Sequence, residues 1–217
     1  MSGIDWLNSE AFTAVGQHII WSDLAGNVIG LLALALGWLR SVWTWPAQLL
    51  SAVVLIAANL SVQQSGSVGK QLVIMVTALW GWQQWTSGRR RTEDGDLVIR
   101  FATWRERGLL AAGAVAGTLA VGGLFTAYPS LSWNPWPDAY VFVGTLVAML
   151  AQARGLVEFW FAWLLVDAVG VPLNFTSGLG FSGLIYLVYG GLVLWGMRAW
   201  WLRSRRTARP ALEGARA

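Results

Sequence analysis

The sequence has no cysteine, one histidine and one lysine, and only 12% of its residues carry charge. Each deficit excludes something. Without cysteine there is no disulfide framework, no thiolate nucleophile and no cysteine-held zinc or cluster. The single histidine, His18, leaves no imidazole set for a metal and no base for a serine nucleophile. Gly180-Phe181-Ser182-Gly183 resembles the serine motif of intramembrane proteases, but His18 lies far upstream of it. A retinal protein needs a lysine in its last span, whereas Lys70 reads as a loop residue in the first half. No enzyme chemistry, metal or cofactor is therefore expected. A soluble domain carries about 25% charged residues, so this chain has too few to face water over a globular surface.

What is present is apolar and aromatic. Hydrophobic residues make up 56%, tryptophan occurs 16 times, and the mean hydropathy is +0.53. Bilayer-spanning helices need about 20 mostly apolar residues each. Seven segments qualify: 20–39, 45–62, 68–86, 109–128, 137–153, 156–175 and 179–201. Residues 1–19 read as an interfacial helix or a lead-in to the first span. No basic stretch precedes the first apolar run, so a cleaved signal peptide is not expected. With seven spans, fourteen arginines fall on one side: Arg40, the 87–108 loop, Arg154 and the tail including 202–217. The positive-inside rule then places the N-terminus outside and the C-terminus in the cytoplasm. The net charge of +4 belongs to these loops, so nucleic acid is not an expected partner; membrane lipid is.

Leu-Trp-Gly-x-x-x-Trp occurs at 79–85 and again at 194–200, 115 residues later. Shifted by 115, residues 21–85 and 136–200 share 19 identities in 65 ungapped positions, four of them tryptophan. Chance would give roughly 9%. The chain thus reads as an all-α membrane protein with a parallel 3+1+3 repeat: units at 20–86 and 136–201 joined by a connector at 109–128. In such carriers the substrate site lies between the units near the midplane. The connector, rich in Gly and Ala with Gly113 and Gly117 four apart, reads as a closely packing helix.

In the sixth span Trp160, Trp163, Asp167 and Asn174 share a helical face. The equivalent face of the second span holds Trp45, Gln48, Ala52 and Asn59. Asp167 is the one carboxylate well inside a span, where an ionisable group usually faces a cavity or a partner. Gln71 and its repeat equivalent Tyr186, with Tyr189 a turn further on, complete the polar candidates, since an amide facing lipid is costly. For the tryptophans, an interfacial belt remains the alternative to ligand contact. Pro172, inside the sixth span, is expected to bend it.

Trp43-Thr44-Trp45-Pro46, Trp80-Gly81-Trp82 with Trp85, and Trp160-x-x-Trp163-x-x-x-Asp167 together resemble the PnuC family of vitamin transporters, over roughly 20–201. The resemblance implies a SWEET-like fold. It also implies uptake of a flat vitamin by facilitated diffusion (uniport) with metabolic trapping inside, and a homo-oligomer, a trimer. Many nicotinamide riboside carriers have asparagine where this chain has Asp167. DWLNSEAFTAVGQHIIWSD and FATWRERG resemble the riboflavin-transporting branch. Riboflavin is the expected substrate and nicotinamide riboside the alternative. Isoalloxazine would stack on tryptophan faces, with amides and Asp167 for the ribityl hydroxyls; a nicotinamide cation would use aromatic faces plus Asp167.

Overall fold

The structure is a computed structural model that describes residue 6 and residues 9–14, 17–61, 65–87, 98–132, 134–176 and 180–214. Seven α-helices make up most of these: α1 (Trp21–Trp38), α2 (Thr44–Ser61), α3 (Ser65–Thr86), α4 (Trp104–Ala127), α5 (Pro135–Ala153), α6 (Glu158–Thr176) and α7 (Gly180–Gly214). Every backbone group inside such a helix is bonded within it, the condition hydrocarbon imposes on a spanning chain. Large apolar side chains cover the outside. Leu109, Val115 and Leu119 on α4, Val76 on α3 and Leu165 on α6 are each more than half exposed. Water would not tolerate such a surface; acyl chains do.

The expected spans agree with the helices to within a few residues, with two extensions: α4 begins at Trp104, and α7 continues to Gly214. Thr103 caps α4 in a reciprocal box with Glu106, which holds the helix start ahead of the apolar run. Lys70, expected in a loop, lies in the second turn of α3. The N-terminal segment departs from the helical option. Glu10–Ala14 (β1) and Gln17–Ile20 (β2) form an antiparallel hairpin, with Thr13 opposite His18 and Phe12 opposite Ile19. Thr13, Ile19 and Ile20 are β-branched and favour strands. Glu10 ties the two strands through its ion pair with His18 at 2.9 Å and accepts a hydrogen bond from Thr13 within its own strand; the Thr13 and His18 bonds hold its carboxyl below the usual carboxylate range. The hairpin leads directly into α1.

Neighbouring helices touch in sequence order: α1 on α2, α2 on α3, α4 on α5, α5 on α6 and α6 on α7. The largest contacts between the repeated segments are α3 with α5 and α1 with α7. The 115-residue period reappears as geometry. Among the described residues, Arg40 and Gly155, 115 apart, are the ones with left-handed φ, 59° and 66°. Each follows a helix end closed in the same way: Arg40 N–H donates to Gly37 and Ser41 N–H to Leu36, while Gly155 N–H donates to Gln152 and Leu156 N–H to Ala151. This is the Schellman arrangement, which turns the chain sharply from α1 into α2 and from α5 into α6.

The recurring Leu-Trp-Gly-x-x-x-Trp has a packing cause. Trp45 is fully buried against Gly81, and its ring meets Trp85 edge-on at 5.3 Å. Trp160 is fully buried against Gly196 and meets Trp200 edge-on at 5.9 Å. A β-carbon on either glycine would lie inside the facing indole. The indole N–H groups of the closing tryptophans reach across: Trp85 donates to the Gln152 carbonyl and Trp200 to the Trp38 carbonyl, both at 3.2 Å. The main core lies at this end of the bundle, where these rings join Met149, Leu156 and Phe159.

The same end carries a strap. Residues 100–103 run beside the α5–α6 turn, with Arg100 N–H donating to Gly155 and Val157 N–H to Arg100. Arg100 holds Glu106 through two hydrogen bonds of 2.6 and 2.7 Å, and the carboxylate raises the guanidinium above its ordinary pKa. Glu158 accepts from Ala102 N–H and Arg107, both at 2.9 Å.

Candidate functional site

A cavity of about 260 Å³ opens above this core, between the repeated segments. Its walls obey the repeat. Gln48 and Trp163, Ala52 and Asp167, and Gln71 and Tyr186 are each 115 apart, and all six line it. Gly30 and Thr145, Leu34 and Met149, and Ile74 and Tyr189 do the same. The frame is shared, but the chemistry is not. The first segment supplies two amides and Ser51; the second supplies one amide, Gln152, with Thr145, an indole, a carboxylate and two phenols.

Glycines make the room. Tyr189 lies against Gly30 and Tyr186 against Gly170, where a β-carbon would collide with each phenol ring or its hydroxyl. The two phenol rings sit 6.3 Å apart. Ser51 on α2 donates to the Gly26 carbonyl of α1 at 3.3 Å, holding that wall together. Asp167 is only 7% exposed. Its Oδ2 and the Oε1 of Gln48 are buried without a hydrogen-bond partner. Two unsatisfied acceptors lining one cavity are costly unless a ligand brings donors.

Of the residues expected from the sequence, Gln48, Gln71, Trp163, Asp167 and Tyr186 are brought to this one cavity. Trp45 and Trp160 are not in its wall; they are the core rings seated on Gly81 and Gly196, one turn from Gln48 and Trp163. Asn59 lies on α2 and Asn174 on α6, but their side chains fall outside the described residues. Ser51, Thr145 and Gln152 line the cavity without having been singled out. Gln152 carries the same signal as Gln48 and Gln71, an amide inside an apolar run, two residues before Arg154. Ser51 follows Gln48 at i+3 on the same helical face.

Comparison with known proteins gives a consistent picture. The family model described as nicotinamide mononucleotide transporter matches residues 20–202. The riboflavin/roseoflavin transporter RibM of Streptomyces davaonensis is 64% identical over 212 residues, covering 98% of this chain and 99% of that one. The nicotinamide riboside transporter PnuC of Escherichia coli is 23% identical over 223 residues, covering 92% and 93%. The crystal structure of the vitamin B3 transporter PnuC superposes with a TM-score of 0.68 at 18% identity, over 86% of this chain and 83% of that one.

Proposed function

We propose, from the premise that the chain belongs to the nicotinamide mononucleotide transporter family, that this multi-pass membrane protein carries riboflavin across the plasma membrane into the cell. The observation that carries the reading is the cavity with Trp163, Tyr186 and Tyr189 on one wall and Gln48, Gln71 and Ser51 on the other. Rings offer faces for a tricyclic isoalloxazine, and the amides, Ser51 and Asp167 offer partners for a ribityl chain. The choice of riboflavin is supported by the near-complete alignment at 64% identity with a protein named a riboflavin/roseoflavin transporter. Gln48, Gln71, Trp163, Asp167 and Tyr186 are the proposed ligand contacts. Trp45 and Trp160 support them from behind.

The same proposal includes a parallel 3+1+3 arrangement, with α1–α3 and α5–α7 as the units and α4 as connector. The paired helix ends at Arg40 and Gly155 and the paired Trp–Gly contacts support it. It also includes a cytoplasmic C-terminus, argued from the arginine-rich side, and a homo-oligomer in the membrane, the trimer that the family resemblance implies. Transport is uniport, followed by metabolic trapping inside the cell. Among the described residues Asp167 is the one buried carboxylate, so a chain of carboxylates for a coupled proton is not in evidence there.

The test is quenching of tryptophan fluorescence in the purified protein by riboflavin and nicotinamide riboside in parallel, corrected for flavin absorption. Saturable quenching by riboflavin alone is expected. Preference for nicotinamide riboside would overturn the substrate. In proteoliposomes, accumulation of unmodified riboflavin under an imposed proton gradient would overturn uniport.

A further inference from the structure

We infer that Gln152 is a positioning residue that fixes the carboxamide of Gln48 with its oxygen toward the cavity, so that this amide accepts a hydrogen bond from the substrate and offers it none. The orientation follows from one backbone carbonyl. Thr44, fully buried, donates its hydroxyl proton to the Ala33 carbonyl at 2.7 Å. A hydroxyl has one proton, so toward any other neighbour Thr44 can only accept. That neighbour is Nε2 of Gln152 at 3.5 Å. With its amide nitrogen committed to Thr44, Gln152 presents Oε1 to Gln48, whose Nε2 donates to it at 3.5 Å. Gln48 then has its own oxygen left over, buried and without a partner, in a residue that lines the cavity. Flipping either amide would set oxygen against oxygen or nitrogen against nitrogen.

The relay crosses between the repeated segments. Gln152 belongs to α5, yet its side chain meets Thr44 and Gln48 of α2 and fits over Gly37 of α1, where a β-carbon would stand 2.7 Å from Nε2. Its backbone carbonyl is also fixed, by Trp85 of α3 at 3.2 Å. The position 115 residues before Gln152 is Gly37 itself, so no mirror relay exists and only one wall is polarised in this way. A ribityl hydroxyl can donate or accept and would not need a fixed amide. The donor-only group of riboflavin is the imide N3–H of its ring, and this last step rests on the riboflavin reading.

The experiment compares riboflavin with 3-methylriboflavin, which lacks that proton, by quenching of flavin fluorescence on the purified protein. Ligand-free thermal melts run alongside. The variants are Gln152→Leu, Thr44→Val and Thr44→Ser, with Gln152→Asn standing in if Gln152→Leu does not fold. The wild type is expected to prefer riboflavin by about tenfold, the worth of one hydrogen bond. That ratio should fall to about twofold or less in Gln152→Leu and Thr44→Val, and persist in Thr44→Ser. In melts, Thr44→Val and Gln152→Leu should be non-additive, because they remove the same bond. Equal weakening of both flavins in Gln152→Leu with the ratio unchanged would reduce Gln152 to a structural residue and overturn the inference. So would additive melts. If the wild type binds nicotinamide riboside and neither flavin, the substrate reading and the N3–H step fail together. The melts then decide the relay alone.

Discussion

Replacing Gly196 by alanine puts the packing account at its sharpest. The new β-carbon would stand 2.6 Å from Cζ2 and 2.7 Å from Cζ3 of Trp160, where carbon atoms prefer about 3.5–4.0 Å. One of them must move by roughly 1 Å. The indole has nowhere to go: it is fully buried, held at 4.1 Å by Phe159 and at 5.9 Å by Trp200. Overpacking of this kind costs about 1–3 kcal/mol, partly offset by about 1 kcal/mol from replacing a helical glycine. A net loss of about 1–2 kcal/mol is expected. Gly81→Ala should lose a similar amount against Trp45, because the contact is the same one in the other segment. Gly113→Ala on α4 meets nothing within 4 Å and should gain up to about 1 kcal/mol. Thermal melts of detergent-purified variants, followed by size-exclusion recovery, read all three. Gly196→Ala combined with Trp160→Phe should recover part of the loss, since phenylalanine does not reach as far as the outer edge of the indole (Cζ2, Cη2 and Cζ3) that collides. Equal effects at Gly196 and Gly113, or no rescue by Trp160→Phe, would refute the reasoning.

Other outcomes follow from the same geometry. Gly155→Ala forces an alanine into φ 66° and should cost about 1–2 kcal/mol, read in the same melts; its partner Arg40 already tolerates that conformation. Asp167→Ala should weaken riboflavin binding by at least about tenfold while size-exclusion behaviour is unchanged; unaltered affinity would make Asp167 a structural residue. Glu158→Ala removes the acceptor of both Ala102 N–H and Arg107, and should cost about 1–2 kcal/mol and increase protease cleavage within the 87–103 segment. Trp163→Ala should reduce vitamin affinity more than stability, whereas Trp160→Ala, emptying a fully buried site, should cost about 3–5 kcal/mol; melts and quenching titrations separate the two.

Much was legible in the chain itself. Apolar run lengths gave the seven helices because a bilayer leaves the backbone no alternative to internal hydrogen bonding. The 115-residue shift gave the pairing of positions, and the paired Gln48 and Trp163, Gln71 and Tyr186 all line one enclosure. The cost of an amide in lipid gave Gln48 and Gln71, and the cost of a carboxylate gave Asp167. The hairpin at Glu10–Ile20 was missed because a short segment of mixed polarity carries no clear period.

The tryptophans mark where such reading stops. Trp160 and Trp163 lie three apart on one face, with nothing in spacing or composition to separate a core ring from a cavity ring. What separates them is Gly196 on another helix, which draws Trp160 into the core, while Trp163 stays in the cavity wall. The direction of the Gln48 amide depends likewise on residues 4 and 104 positions away, through Thr44 and Gln152. The amino-acid order alone determined the lipid solvent, the helices and the 115-residue pairing of positions, because these follow from hydropathy and periodicity along the chain. Which side chains face the cavity, and with which atoms, was decided only by tertiary contact, because close packing and hydrogen-bond direction are properties of neighbours in space.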